Sequence, residues 1–430
     1  MSALVAQNVS DLRELARRRL PRGLFEYVDR GTEEEVTLRN NRSQFDAIQL
    51  VPRPLIDVAA RQQEVSVIGQ RWGMPVAVAP TGMAGMLWYR GELALARAAR
   101  DAGIPFTLST YSITSIEEVA EVGGNLWFQL YLWPDVAMSH ELVRRAWSAG
   151  YRTLVVTVDS VVNGNREHNR RNGFTVPMRL TARNVLDGAT HPRWTLGVMG
   201  RYILRGGVPE FANFPAAVRT DLRGRTGGNG PATLPKNESQ QWDDIRRLRD
   251  LWQGALVVKG LLHPADVARA LECGADAIVL SNHGGRTLDG AVSPMQVLPE
   301  AARVVGGRAA ILLDSGVVRG SDVVKALAMG AHAVLIGRAA LWGVAAGGYD
   351  GAALALDTFR AEIDRVMAYL GCRAIGEIGP QLVHGRGDPP AGMPLRTAGS
   401  AARQGRGPAP HMLSTSSPGE GIAALSRPPS

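Results

Sequence analysis

The chain has 430 residues, 45% of them hydrophobic and 20% charged, the balance of a globular enzyme and not of a disordered or fibrous chain. It contains no run of about 18 uninterrupted apolar residues, and the N-terminus MSALVAQNVSDLRELARRRL lacks an apolar core of signal-peptide length. No spanning helix or secretion is therefore expected, and the cytoplasm is the default. The formal net charge of +8 leaves nucleic acid, an anionic membrane surface or anionic small molecules as partners; without a helix-turn-helix, zinc-finger or RNA-binding signature, nucleic acid is the least supported.

In chain order, residues 1–50 read as helices packed ahead of the main fold. Eight short, β-branched runs then alternate with helical patterns: Met74–Pro80, Pro105–Thr110, Leu126–Tyr131, Thr153–Asp159, Ala255–Lys259, Ala277–Ser281, Ala309–Asp314 and Ala333–Gly337. Segments such as GELALARAARDAG and GSDVVKALAMGA lie between them. Eight strand-then-helix units predict an α/β fold, a closed (β/α)8 TIM barrel, for which about 250 residues plus insertions suffice. An open doubly wound sheet would want a G-x-G-x-x-G turn after its first strand, and none is there. A long insertion, about residues 175–240, follows the fourth strand. The domain is expected to span 1–383, and 384–430, rich in Gly, Pro, Ser and Arg, is expected to be a disordered tail. Cys273 and Cys372 stand far apart and outside any ligand spacing, so they read as free thiols and no metal is expected.

Barrels of this kind keep their chemistry at the C-terminal ends of the strands, and side chains two apart share a face. Those ends carry Ser109 and Tyr111, Gln129 and Tyr131, Thr157 and Asp159, Lys259, Ser281 and His283, and Asp314. Taken singly each has a structural explanation, such as a helix cap or a solvated lysine. A ring of polar groups around one mouth instead suggests a polar ligand, because buried polar groups need partners. In SNHGGR (Ser281–Arg286) a histidine suited to proton transfer stands beside an arginine whose planar fork grips a carboxylate, with two glycines to turn the loop back over the mouth. DSGVVRG (Asp314–Gly320) and IGR (Ile336–Arg338) follow the last two strands, where barrels commonly bind phosphate.

Through SNHGGR, DSG and IGR the sequence resembles the FMN-dependent L-2-hydroxy acid dehydrogenase and oxidase family, from about Val9 to Val383. It resembles the mandelate dehydrogenase branch most, through PTGMAGMLW (Pro80–Trp88), VVNGNRE (Val161–Glu167), LDGATHPRW (Leu186–Trp194) and WDDIRRLRDLW (Trp242–Trp252). The resemblance implies an FMN enzyme that oxidises a mandelate- or lactate-like L-2-hydroxy acid to the 2-oxo acid and passes electrons to a quinone or to oxygen. By the same resemblance, His283 is the base and Asp159 its carboxylate partner. Arg166, Arg286 and Tyr27 bind the substrate carboxylate, Tyr131 lies by the substrate hydroxyl, and Lys259 stands beside flavin N1. Ser109, Gln129, Thr157 and Ser281 meet one flavin edge and the backbone of Ala79, Pro80 and Thr81 the other. Asp314 with Ser315 and Gly316 serves the ribityl chain, and Gly337 and Arg338 the phosphate. A homotetramer is also implied.

Two positions depart from the family pattern. Val318 stands where the phosphate loop usually has arginine, with Arg319 adjacent but expected to point elsewhere. Gly82 stands where the oxidases have alanine, which leans away from oxygen as acceptor. Tyr111 occupies a variable pocket position and leaves substrate size open. Between Met178 and Arg225 the insertion carries eight arginines against three acids, mixed with apolar residues. A basic, apolar segment of this kind suits either a membrane interface, as on the inner face of the cytoplasmic membrane, or an ordinary loop over the mouth. Two other functions stay open: a family flavoprotein that oxidises a modified peptide, which would tend to lack Arg286, and a non-redox barrel.

Overall fold

Alternation along short strands decides the architecture. The computed structural model describes residues 5–174, 181–215, 218, 221–222 and 236–385. A two-stranded antiparallel hairpin, β1 (Val65–Val67) and β2 (Gln70–Trp72), precedes eight parallel strands: β3 (Val76–Val78), β4 (Phe106–Ser109), β5 (Leu126–Tyr131), β6 (Thr153–Thr157), β7 (Ala255–Leu261), β8 (Ala277–Leu280), β9 (Ala310–Leu313) and β10 (Ala333–Ile336). These eight pair in chain order, and β10 closes on β3 through Val334, Leu335 and Ile336 opposite Val76, Ala77 and Val78. All eight expected strands are present, and the fold is the expected (β/α)8 barrel.

Each strand divides its side chains between two cores. One face, including Val76, Phe106, Phe128, Leu154, Val258, Ile278, Ile311 and Val334, packs against the surrounding helices. The other fills the barrel with Ala77, Trp127, Val155, Val257, Val279, Leu312 and Leu335. Two residues further on, that inner face carries Ala79, Gln129, Thr157, Lys259, Ser281, Asp314 and Gly337. The strand period thus lifts a polar ring onto the C-terminal mouth directly above an apolar plug.

The β1–β2 hairpin seals the opposite end and was not anticipated. Trp72, fully buried, packs edge-on against Trp127 with ring centroids 5.5 Å apart. Gln70 donates to Thr153 Oγ1 at 2.9 Å and accepts from Trp127 Nε1 at 3.1 Å. Its strands are three residues long, and both turn residues, Ile68 and Gly69, have positive φ (47° and 74°). An isoleucine there is unusual for a hairpin turn that prefers Asn-Gly, which is why the pattern carries no warning.

Three helices, Val9–Arg19, Arg22–Asp29 and Val36–Asp46, form the expected N-terminal extension. The insertion contributes helices at Ala182–Ala189 and along Pro192–Arg205, the latter with a π-helical stretch at Thr195–Gly200. Residues 175–180, most of 216–235 and the expected tail from 386 onward lie outside the described residues. No helix among the described residues is long and apolar enough to cross a membrane, and no cluster of metal-binding side chains occurs among them. Both cysteines are free and buried.

Candidate active site

The turn after β8 sets the site. His283, Gly284 and Gly285 take three successive positive φ angles, 57°, 66° and 69°. A Cβ on Gly285 would come within 2.8 Å of the Leu38 backbone nitrogen, so glycine is required there. For His283 the left-handed conformation costs about 1–2 kcal/mol, and neighbouring hydrogen bonds hold it. Ser281 Oγ accepts from His283 N at 3.0 Å, and Ser315 Oγ accepts from Gly284 N at 3.0 Å and Asn282 N at 3.3 Å. Asn282 exchanges paired amide bonds of 2.8 and 2.7 Å with Asn41 of the N-terminal helices. Ser315 therefore braces the histidine loop; Asn41 and Asn282 are supports that sequence reasoning missed.

His283 Nδ1 lies 2.9 Å from Asp159 Oδ1, just beyond β6. Burial pushes Asp159 up, but His283 and Lys259 outweigh it and hold the carboxyl below its usual range. Burial also lowers the His283 imidazole, with Asp159 opposing, so the resting ring is neutral. With Nδ1–H donated to an ionised Asp159, Nε2 keeps its lone pair for a proton.

Lys259 Nζ, at the end of β7, donates to Ser281 Oγ at 2.7 Å and pairs with Asp314 Oδ2 at 2.8 Å. Burial lowers its pKa, but Asp314 and Asp159 outweigh that and hold it above the usual range, so a full positive charge sits at the barrel's centre. Asp314 also accepts from Ser315 Oγ at 2.8 Å. Ser109 Oγ donates to Gln129 Oε1 at 3.1 Å. Ala79, Pro80 and Thr81 leave β3 beside Gly337 at the end of β10, joined by Ala79 N to Ile336 O at 3.0 Å. Gly316, at φ 95°, packs on Asn41.

The arginines gather at the C-terminus of helix Arg22–Asp29. The Tyr27 ring lies within cation–π reach of both Arg286, 5.1 Å from its centroid, and Arg166 at 5.8 Å. Arg286 Nη1 donates to Tyr27 O at 2.6 Å and to Val28 O and Arg30 O at 3.3 Å. Arg338 binds the same turn, through Nε to Val28 O and Asp29 O and Nη2 to Arg30 O, all 3.1 Å. The helix's negative end thus fixes two guanidiniums by charge-assisted bonds worth roughly 1.5–3 kcal/mol each. Burial, then Arg166 and Arg338, push Arg286 down to about 9; burial and Arg166 push Arg338 down to about 10. Both remain cations, and their crowding marks a place short of negative charge.

The expectation that Arg338 serves a phosphate meets two facts. Its Nε and Nη2 are already engaged on the helix carbonyls. In the loop after β9, the N–H groups of Val318 and Arg319 donate to Asp322 at 3.0 and 2.9 Å, and that of Gly320 to Glu362 at 2.6 Å. Arg319 points away from the mouth, as expected, to Glu362 at 3.0 Å.

Among the described residues, four buried polar atoms at this mouth have no partner: Gln129 Nε2, Thr157 Oγ1, Asp159 Oδ2 and Arg166 Nε. Leaving each unmade costs about 1–3 kcal/mol, so they fit a polar heterocycle and an acid seated above the apolar plug. Tyr131 and Tyr111 line the next compartment, rings 5.3 Å apart; burial raises both hydroxyls, Tyr111 to about 12, so both stay protonated donors. The insertion supplies much of the remaining wall, as the reading of it as a loop over the mouth allows; which of its residues face the pocket was not foreseen. Phe211 and Phe214 stack at 4.8 Å and meet Tyr111 edge-on, Trp133 meets Phe214, and Lys236 lies over both tyrosine rings. No motif surrounds these residues; their signal lies only in the chain's return to the barrel, where Asn213 accepts from Ile116 N at 2.9 Å.

Residues 16–385 match the family described as FMN-dependent dehydrogenase. The chain is 44% identical over 382 residues to an (S)-mandelate dehydrogenase of Pseudomonas putida, covering 88% of this chain and 94% of that one. It is 40% identical over 385 residues to an L-lactate oxidase of a Nostoc species, covering 88% and 98%. Among solved structures, a monotopic membrane protein (S)-mandelate dehydrogenase superposes with a TM-score of 0.81 at 42% identity, covering 88% of this chain and 99% of that chain. A mandelate oxidase bound to (S)-2-phenylpropionate does so at 0.73 and 36%, covering 87% and 97%.

Proposed function

We propose, from the premise that this chain belongs to the FMN-dependent dehydrogenase family and is an FMN-dependent 2-hydroxy acid oxidoreductase, that it oxidises an L-2-hydroxy acid at C2 and delivers the electrons to an acceptor at a membrane surface. The observation that carries the substrate reading is a His283–Asp159 pair at the same mouth as two arginines against Tyr27, with buried Tyr131 within electrostatic reach of both Asp159 and Arg166.

In this reading Arg286, Arg166 and the Tyr27 hydroxyl hold the substrate carboxylate, and Tyr131 donates to the oxygen at C2. FMN, when bound, would supply the acceptor for the two electrons and one of the two hydrogens lost when C2–OH becomes C2=O. His283 Nε2 takes up the proton released from the substrate, and Asp159 stabilises the imidazolium that forms. Lys259 is a fixed cation for charge that develops beside it, which is usually the larger catalytic term. Ser109, Gln129, Thr157 and Ser281 are assigned to one edge of the cofactor, the Ala79–Thr81 backbone to the other, and Asp314 to its ribityl chain. With Val318 in place of arginine and the 318–320 amides engaged, the phosphate is assigned to the backbone at Gly316 and Gly337 and to the remaining Arg338 Nη1.

The acceptor reading rests on the insertion. Trp194, Val198 and Tyr202, spaced by four, face inward, and Trp194 Nε1 donates to Met86 O at 2.7 Å. Leu196, Ile203 and Leu204 face out, 71%, 59% and 87% exposed, beside Arg193, Arg201 and Arg205. That is the pattern of a helix lying in a headgroup layer.

Anaerobic mixing of the holoenzyme with L- and D-2-hydroxy acids, following flavin absorbance and assaying the 2-oxo acid, tests the reading. Loss of colour with L-acids alone is expected. A flavin that no hydroxy acid bleaches would overturn it.

A further inference from the structure

Lys236 has no role in the reaction just described, yet it stands inside the pocket. It lies on the return leg of the insertion, half-buried, with Nζ 4.6 Å from the Tyr131 ring centroid and 5.3 Å from that of Tyr111. It forms no ion pair or hydrogen bond among the described residues. We propose that Lys236 reads the far end of the substrate and selects a 2-hydroxy acid whose side chain carries a second negative charge, a second carboxylate above all. The inference rests on the proposed function, whose substrate class it narrows.

The geometry sets the direction of the side chain. The first carboxylate belongs at Arg166 and Arg286, and C2 belongs at His283. The substituent at C2 is then directed to the cleft beyond Tyr131, lined by Tyr111, Tyr131, Leu132, Trp133, Lys236 and Gln240. Apart from Lys236 this wall is aromatic or neutral. The carboxylate that faces Lys236, Asp159, bonds His283 through Oδ1 and forms no ion pair with Lys236.

The energetics point the same way. Burial and then Arg166 lower the Lys236 ammonium to about 8, with Asp159 opposing. The two aromatic faces attract the ammonium, which offsets only part of the lost hydration. An alkyl or phenyl substituent would deepen the desolvation and supply no counter-charge. A carboxylate would supply one and form a charge-assisted hydrogen bond. A pocket with an unpaired cation discriminates chiefly by what it leaves unsatisfied when the wrong ligand enters.

The test compares acids of equal chain length with the holoenzyme: L-malate against L-2-hydroxybutanoate, and L-2-hydroxyglutarate against L-2-hydroxypentanoate. At least one diacid is expected to exceed its partner in kcat/KM by about tenfold or more, mainly through KM. Lys236→Met should abolish that preference and Lys236→Arg should retain it. A wild-type enzyme that uses the monoacids as well as the diacids, or a Lys236→Met variant that keeps the preference, overturns the inference and leaves the proposed function standing. Oxidation of none of the four acids overturns the inference, and bleaching by aromatic or other L-2-hydroxy acids then decides the broader reading separately.

Discussion

Replacing Asp159 with asparagine isolates the charge that faces His283. Asparagine keeps the size and an oxygen that can accept the 2.9 Å bond from Nδ1. What disappears is the attraction between a carboxylate and the imidazolium formed when Nε2 takes the substrate's proton. At roughly 4–5 Å between charge centres and an effective dielectric of about 20, that attraction is about 3–4 kcal/mol. The retained hydrogen bond reduces the loss, so flavin reduction should slow about 10²–10³-fold. The pH dependence has a defined sign. Asp159 raises the His283 pKa against burial, so its removal lowers that pKa further. The reaction needs the neutral ring, so the acid limb of the kcat/KM profile should move to lower pH while the plateau drops. Anaerobic stopped-flow reduction across about pH 5 to 9 measures both. A plateau within about threefold of wild type, or an acid limb displaced upward, would refute the argument that Asp159 acts through the imidazolium.

Arg286→Met and Arg166→Met should each raise KM for a hydroxy acid on the order of 100-fold. Only Arg286→Met should also lower the melting temperature, because Arg286 alone of the two bonds the carbonyls of helix Arg22–Asp29; equal melting temperatures would contradict the capping role. Lys259→Met leaves Asp314 buried without its partner at 2.8 Å, a loss of about 3–5 kcal/mol, and should lower both thermal stability and retained flavin, read by calorimetry and absorbance ratio. Leu196→Glu with Leu204→Glu should release the protein from liposomes of anionic lipid without altering flavin reduction, and pelleting unchanged from wild type would remove the membrane-surface reading.

Much of the site was legible because a strand repeats every two residues. Once Val155, Val257 and Leu312 face inward, Thr157, Lys259 and Asp314 must follow at the mouth. The SNHGGR turn was equally legible, since glycines after a strand imply a backbone few other residues adopt. The π-helical insertion was harder to read, as were Phe211, Phe214 and Lys236 in the pocket wall: they follow no period, and their positions depend on where a long excursion returns to the barrel. The terminal arginines show the same limit. Their identity suggested anion binding, but the helix C-terminus that holds Arg286 and Arg338 comes from residues 22–30, more than 250 positions away.

Local order along the chain was enough for the eight-unit barrel, the polar ring and the His283–Arg286 turn, because each arises from side-chain alternation or from a dihedral that glycine alone takes without strain. Three-dimensional closure settled the rest: the pairing of Lys259 with Asp314, the engagement of Arg338 by a helix end, the hairpin plug at Trp72, and the cation over two tyrosines. Those contacts join segments distant in sequence, and their energies depend on burial and on neighbouring charge, which exist only once the barrel has closed.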